Sequence, residues 1–236
     1  MNNNSIFFNN FIELKNLKKS SKSKLAKKFD RVYLNVKKDF KNTKKTLNIL
    51  DNKFKFNFKT TDLNKFKKFK TIAIVGMGGS ILGAEAMYNF FGSKIKKKIY
   101  FFDDLNENKL LEFRKNEKLS NVLFIVISKS GNTIETLSNS FSLKILKNNS
   151  KNVIIISEKR NNSLYSLAQK YNLFHVEHNN YIGGRYSVLS EVGIIPAFLM
   201  GINIKKLRSK ILDCFKEKNK KFLKNCKIKL VQLINS

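Results

Sequence analysis

The chain has 236 residues, with 47 Lys and Arg against 17 Asp and Glu, a formal net charge of +30. With 42% hydrophobic residues and 21 Phe there is apolar material for a packed core, which excludes global disorder. The length fits one large domain or two small ones. No apolar run approaches the roughly 18 residues of a membrane-spanning helix. Met1 to Asn10 is Asn-rich and lacks the basic stretch and apolar run of a secretory leader. Two cysteines, Cys214 and Cys226, fit a reducing cytoplasm better than a disulfide framework and read as free, partly buried thiols.

In chain order, residues 1–70 carry helical stretches. Ser23 to Leu50 places Leu25, Phe29, Val32 or Tyr33, Val36 and Phe40 at helical spacing. Phe54 to Phe58 alternates with polar residues and reads as a short strand or a loop. The first glycine is Gly76. From there the chain changes character. Thr71–Val75 is a β-branched apolar run that ends in glycines, the mark of a buried parallel strand. Ser80 to Phe91 follows as a helix. Lys98–Phe102, Asn121–Ser128, Asn152–Ser157 and Leu173–Val176 are the next strands. Glu107 to Lys118, Asn132 to Lys147 and Asn162 to Tyr171 are the helices between them, and Val188 to Ile202 is an apolar helix after the last. This alternation predicts an α/β fold with a five-stranded parallel doubly wound sheet and an N-terminal helical extension. The expected division is a basic, mainly helical extension over 1–70, a first domain over 71–204 and a helical connection over 205–236. There is no internal repeat and no Pro-rich linker, and Pro196 is the only proline.

The charge follows this division. Residues 1–70 hold 20 basic and 5 acidic residues, residues 205–236 hold 11 and 2, and the middle holds only 16 and 10. The basic residues are 42 Lys and 5 Arg, set among Asn, Phe and Ile. A nucleic-acid reader interleaves arginine and aromatics on one recognition element. The residues found here share A/T-rich codons, so the reading is a compositional bias and solvated faces rather than a nucleic-acid patch.

In doubly wound sheets ligands sit beyond the carboxyl ends of the strands, so the loops after strands one and three carry the chemistry. The first is Gly76-Met77-Gly78-Gly79-Ser80, whose backbone N–H groups at a helix N-terminus suit a phosphate, with Ser80 as a cap or a hydroxyl donor. A dinucleotide fingerprint needs glycine where Ile81 stands, although Asp103 and Asp104 sit where a ribose-binding acid would. A plain structural turn is the bland alternative. The second loop is Ser128-Lys129-Ser130-Gly131-Asn132-Thr133. It gathers three hydroxyls and a lysine at a helix start, more donors than N-capping by Asn132 or Thr133 needs. The third is Tyr181 to Ser187, where Arg185 beside Gly183 and Gly184 offers a planar fork of donors to an anion. A solvated residue at a helix start is the alternative there. His175 and His178 lack the further ligands of a zinc site.

GMGGSILG (76–83), SKSGNTIET (128–136) and GGRYSVLSEVGIIPAFLMGI (183–202) together resemble glucose-6-phosphate isomerase, a family built from two sugar-isomerase (SIS) domains. The first two motifs occur in other phosphosugar-binding SIS proteins, and the third is the specific one. The resemblance implies a flavodoxin-like SIS sheet. It places Gly79, Ser80, Ser128, Lys129, Ser130 and Thr133 around a sugar phosphate and Arg185 at an enediolate intermediate. It implies aldose–ketose isomerisation between glucose 6-phosphate and fructose 6-phosphate, no cofactor or metal, a homodimer when full length, no nucleic-acid or membrane partner, and a cytoplasmic location. The family's glutamate base and its ring-opening His and Lys belong to the second half of the chain. Glu135, Glu191, His175 and His178 do not sit in the matching motifs. The chain is therefore expected to be an N-terminal half that does not isomerise alone. The competing expectations are a bifunctional glucose/mannose phosphate isomerase and a phosphosugar-sensing regulator with a basic DNA-binding flank.

Overall fold

The computed structural model of the chain describes residues 19–209, 211–216, 219–220 and 222–226. Five apolar runs form strands: β1 (Thr71–Gly76), β2 (Lys98–Phe102), β3 (Val122–Ile127), β4 (Val153–Ser157) and β5 (Phe174–Glu177). Every residue of β3 and β4 is buried, as strands covered on both faces require. The helices are α1 (Lys19–Phe40), α2 (Thr60–Leu63), α3 (Leu82–Phe91), α4 (Glu107–Asn116), α5 (Ile134–Ser142), α6 (Ser163–Lys170), α7 (Glu191–Leu199) and α8 (Ile204–Arg208). No described helix is long and apolar enough to cross a membrane.

All strand pairs are parallel, in the order β2-β1-β3-β4-β5. This is the flavodoxin-like order, whose switch point lies between β1 and β3. The two faces bury different residues. Ile72, Ile74, Leu123 and Ile125 meet Ala84 of α3 and Ile195 of α7. Ala73, Val75, Phe124 and Val126 meet Phe113 of α4 and Ala168 of α6. Leu63, Phe66 and Phe69 pack into the first face, so the core draws on residues before 71. Phe66 is 1% exposed, and removing such a side chain from water contributes about 2 kcal/mol.

The strands begin and end within about a residue of their expected bounds. The helices differ more. The helix expected over 23–50 ends at Phe40 and is followed by a 3-10 turn, Thr46–Leu50. Asn48 lies in that turn and donates from Nδ2 to the Phe40 carbonyl, giving the exposed carbonyl end of α1 a partner. The helix expected over 132–147 covers only Ile134–Ser142. Lys144 turns at φ 53°, which lets Leu143 and Ile145 both reach the core. Phe54–Phe58 is irregular rather than a strand.

Candidate functional site

The register of the central pair sets the site. Gly76 is paired with Ile127, so the loops after β1 and β3 leave the sheet side by side at its carboxyl edge.

The first loop continues as a 3-10 turn, Gly78–Ser80, before α3. Ser80 does not cap that helix: its N-cap position is Ile81, and no side chain bonds there. Gly79 is needed for a different reason. A Cβ on it would lie 2.3 Å from the Gly184 carbonyl oxygen. The first loop therefore lies backbone against backbone on the third segment, whose 3-10 turn is Gly184–Tyr186. Ser187 fastens the contact, its hydroxyl lying 3.1 Å from the Gly79 carbonyl and 2.6 Å from that of Gly184. Arg185 stands in this turn with its side chain exposed.

The second loop is a hydroxyl cluster. Ser128 is 2% exposed; its Oγ lies 2.8 Å from Thr133 Oγ1, 3.5 Å from Ser130 Oγ, and accepts the Gly131 N–H. Gly131 has φ 70°, a conformation that favours glycine, and a Cβ there would strike Asn162. Neither Asn132 nor Thr133 caps α5 with its side chain. Asn132 accepts from Ser163 N at the start of α6, and Thr133 is turned to Ser128. The first-turn N–H groups of α5 thus have no capping side chain, beside three hydroxyls. That leaves donors for an anion where the helix dipole favours one.

Lys129 borders the hydroxyl cluster and also reaches neighbouring loops. Its ammonium donates to the Asn180 carbonyl at 2.7 Å and lies 3.7 Å from Glu158, which also pairs with Arg160 at 2.7 Å. These contacts join the second loop to the residue after β4 and to the chain just before the third segment. Thr136, in the first turn of α5, has a buried hydroxyl without a hydrogen-bond partner, and the sequence pattern does not single it out. Asp103 and Asp104 are both met by Lys109, at 2.9 and 3.5 Å. Hydrogen bonding and charge from Lys109 hold the Asp103 carboxyl below the usual range.

The histidines are engaged apart from one another. His175 Nε2 lies 3.0 Å from Ser157 Oγ, and burial pushes its imidazole pKa down from 6.5 to about 4. His178 is buried beside Glu191. Among the described residues no three His, Cys, Asp or Glu gather as a metal site. Cys226 is a half-buried free thiol, while the surroundings of the Cys214 side chain lie outside the description. A cavity of about 1080 Å³ lies between α1 and residues 51–57, lined by Leu34, Phe40, Phe54 and several lysines, and of the three loops only Tyr181 reaches it.

Fold and loops together define a doubly wound α/β protein whose switch-point crevice is bordered by two loops of small residues. Residues 26–233 match the phosphoglucose isomerase family, and the chain belongs to it. It is 35% identical over 166 residues to a glucose-6-phosphate isomerase of Methanocaldococcus jannaschii, a match covering 67% of this chain and 40% of that protein. In structure it is similar to a hypothetical protein of Thermus thermophilus, with a TM-score of 0.68 and 18% identity, over 92% of this chain and 54% of the other. It is also similar to a glucose-6-phosphate isomerase of Chlamydia trachomatis, with a TM-score of 0.60 and 17% identity, over 86% and 48%. The chain thus spans about two fifths of the length of the curated relative and about half of the solved ones.

Proposed function

We propose that the chain supplies the phosphosugar site of an aldose–ketose isomerase that interconverts glucose 6-phosphate and fructose 6-phosphate, a step of glycolysis and gluconeogenesis. The observation that carries this reading is the second loop. Ser128, Ser130 and Thr133 converge at the uncapped start of α5, beside the loop that holds Gly79 and Ser80. A phosphate dianion accepts from several hydroxyl and backbone donors at once, and each bond to a charged acceptor contributes about 1.5–3 kcal/mol. Lys129 borders this donor set and adds positive charge.

Isomerisation moves a proton between adjacent carbons through a cis-enediol, and negative charge develops on oxygen as it does so. A cation fixed beside that oxygen lowers the barrier, because it interacts more strongly with the transition state than with the substrate. Arg185 takes this role: it keeps its charge, and Gly79 and Ser187 fix its backbone against the first loop. The base that moves the proton is not assigned to any residue of this chain. The flank over 1–70 supports the domain over 71–204, and 205–236 connects it onward. The working protein is a cytoplasmic homodimer, without cofactor, nucleic-acid or membrane partners.

Calorimetric titration of the 236-residue chain with fructose 6-phosphate tests the reading. Saturable binding is expected, with fructose showing none and Ser128→Ala/Thr133→Val abolishing it. Equal response to fructose and fructose 6-phosphate, or none to either, overturns it.

A further inference from the structure

Segment 179–190 carries Arg185, and its two ends are gripped in an unusual way. His178, just after β5, is 1% exposed. Glu191, the first residue of α7, is 0% exposed. His178 Nδ1 lies 3.7 Å from Glu191 Oε2, a close approach just beyond hydrogen-bond distance, and His178 Nδ1, His178 Nε2 and Glu191 Oε2 have no hydrogen-bond partner among the described residues. Buried polar atoms without partners cost free energy, so a pair left this way either has a use or lowers stability. Asn57, from the flank, closes the same base from outside. Its backbone N–H donates to Glu191 Oε1 at 3.1 Å, and its Nδ2 donates to the Glu177 carbonyl at 3.1 Å.

The rest of the segment is tied to neighbouring elements as well. Thr46 Oγ1 donates to the Tyr181 carbonyl at 2.6 Å. Arg208 is 9% exposed; it donates to the Leu189 carbonyl at 3.1 Å and reaches the Ile49 and Asp51 carbonyls with its other nitrogen. Ile182 packs fully buried against Ile49 and Phe54.

We propose that His178 and Glu191 are positioning residues: their buried pair, clipped by Asn57, closes the base of segment 179–190 and so sets where Arg185 stands. The physical reason is the position of the pair. It joins the two chain ends of the segment, so it removes conformations from the whole stretch rather than from one side chain. A displacement of about 1 Å of a charged group costs catalysis heavily, and closure at the base guards against it even with two polar side chains buried. The consequence for binding rests on the phosphosugar reading above, but the closure itself does not.

Hydrogen–deuterium exchange of the unliganded chain tests the closure. His178→Ala and Glu191→Leu should each speed exchange of peptides within 179–190 about tenfold, while β1 and β3 keep their protection. Glu191→Gln keeps the volume and an acceptor for the Asn57 N–H, so it should restore most of that protection. The chain has only His175 and His178, so the imidazole N–H resonance that His178→Ala removes is identifiable. That resonance should shift in Glu191→Gln. Fructose 6-phosphate affinity should fall about tenfold in Glu191→Leu and recover in Glu191→Gln. Unchanged exchange over 179–190 in His178→Ala, or no rescue by Glu191→Gln, overturns the proposal. If either large change unfolds the sheet, Asn57→Pro decides: at an exposed, irregular position it removes the backbone N–H that Glu191 Oε1 accepts, and faster exchange confined to 179–190 supports the closure while unchanged exchange overturns it. Wild-type chain that shows the exchange pattern but binds no fructose 6-phosphate overturns only the phosphosugar reading.

Discussion

The two loops at the switch point look alike in sequence, both small residues between a strand and a helix, yet they are built for different ends. In the first loop Gly78 turns the chain at φ 51°, but Gly79 serves packing. Gly79 lies against Gly184, and the loop is a socket for the segment that bears Arg185. The second loop uses its one glycine to turn and directs its hydroxyls to one another and to the empty start of α5. One loop seats a neighbouring segment and the other gathers hydroxyls, so two small-residue loops of similar sequence are held together in different ways.

Gly79→Ala attacks that contrast hardest. Its methyl would sit 2.3 Å from the Gly184 oxygen, with backbone on both sides. Overpacking of this kind costs about 1–3 kcal/mol, and with no side chain able to yield the upper end is expected in chemical denaturation. Fructose 6-phosphate binding should vanish with it. Gly131→Ala should cost about 1–2 kcal/mol for the left-handed backbone alone. Part of its further cost comes from Asn162, whose Oδ1 caps α6 by accepting from Tyr165 N. In an Asn162→Ala background the same change should cost less, and a double-mutant cycle measures the difference. Additive costs would show that the two residues do not meet.

Ser128→Ala sharpens the donor half of the contrast. It should cost about 1 kcal/mol of stability but about tenfold in fructose 6-phosphate affinity, since bonds to a charged acceptor are stronger than bonds between hydroxyls. Equal losses in the two measurements would make the second loop structural, like the first. The last effect concerns the sheet beneath both. His175 has a folded pKa of about 4, depressed by burial from 6.5, so the unfolded chain takes up a proton that the folded one refuses. Its contribution to stability is complete above pH 6.5 and is lost as pH falls towards 4. A thermal-melt profile should show that slope, and His175→Gln should flatten it.

Much of this is legible in the sequence. The strands can be read almost to the residue, because a sheet covered on both faces needs unbroken apolar runs, and TIAIV, VLFIVI and VIIIS have no other use. The motif loops stand out because the chain has only 10 glycines, and most of them fall in these loops. What the sequence hides is non-local. Nothing marks Gly79 as packing on Gly184, or Asn57 as holding Glu191, since the partners lie more than a hundred residues apart. The length of α5 is misleading because its periodic pattern runs on past Ser142, where packing of Leu143 and Ile145 ends the helix instead. The bond from the Lys129 ammonium to the Asn180 carbonyl, 51 residues on, is equally unmarked in the sequence.

The seam between Gly79 and Ser187 joins positions 108 apart in the chain. Contacts of such separation form late, because the long intervening loop must close first. During synthesis, which runs from the N-terminus, β1 and its turn leave the ribosome well before their partner has been made. This wall of the crevice is therefore closed only after all five strands have been made. A ribosome stalled before residue 184 would carry a growing sheet with one wall of its crevice still unbuilt.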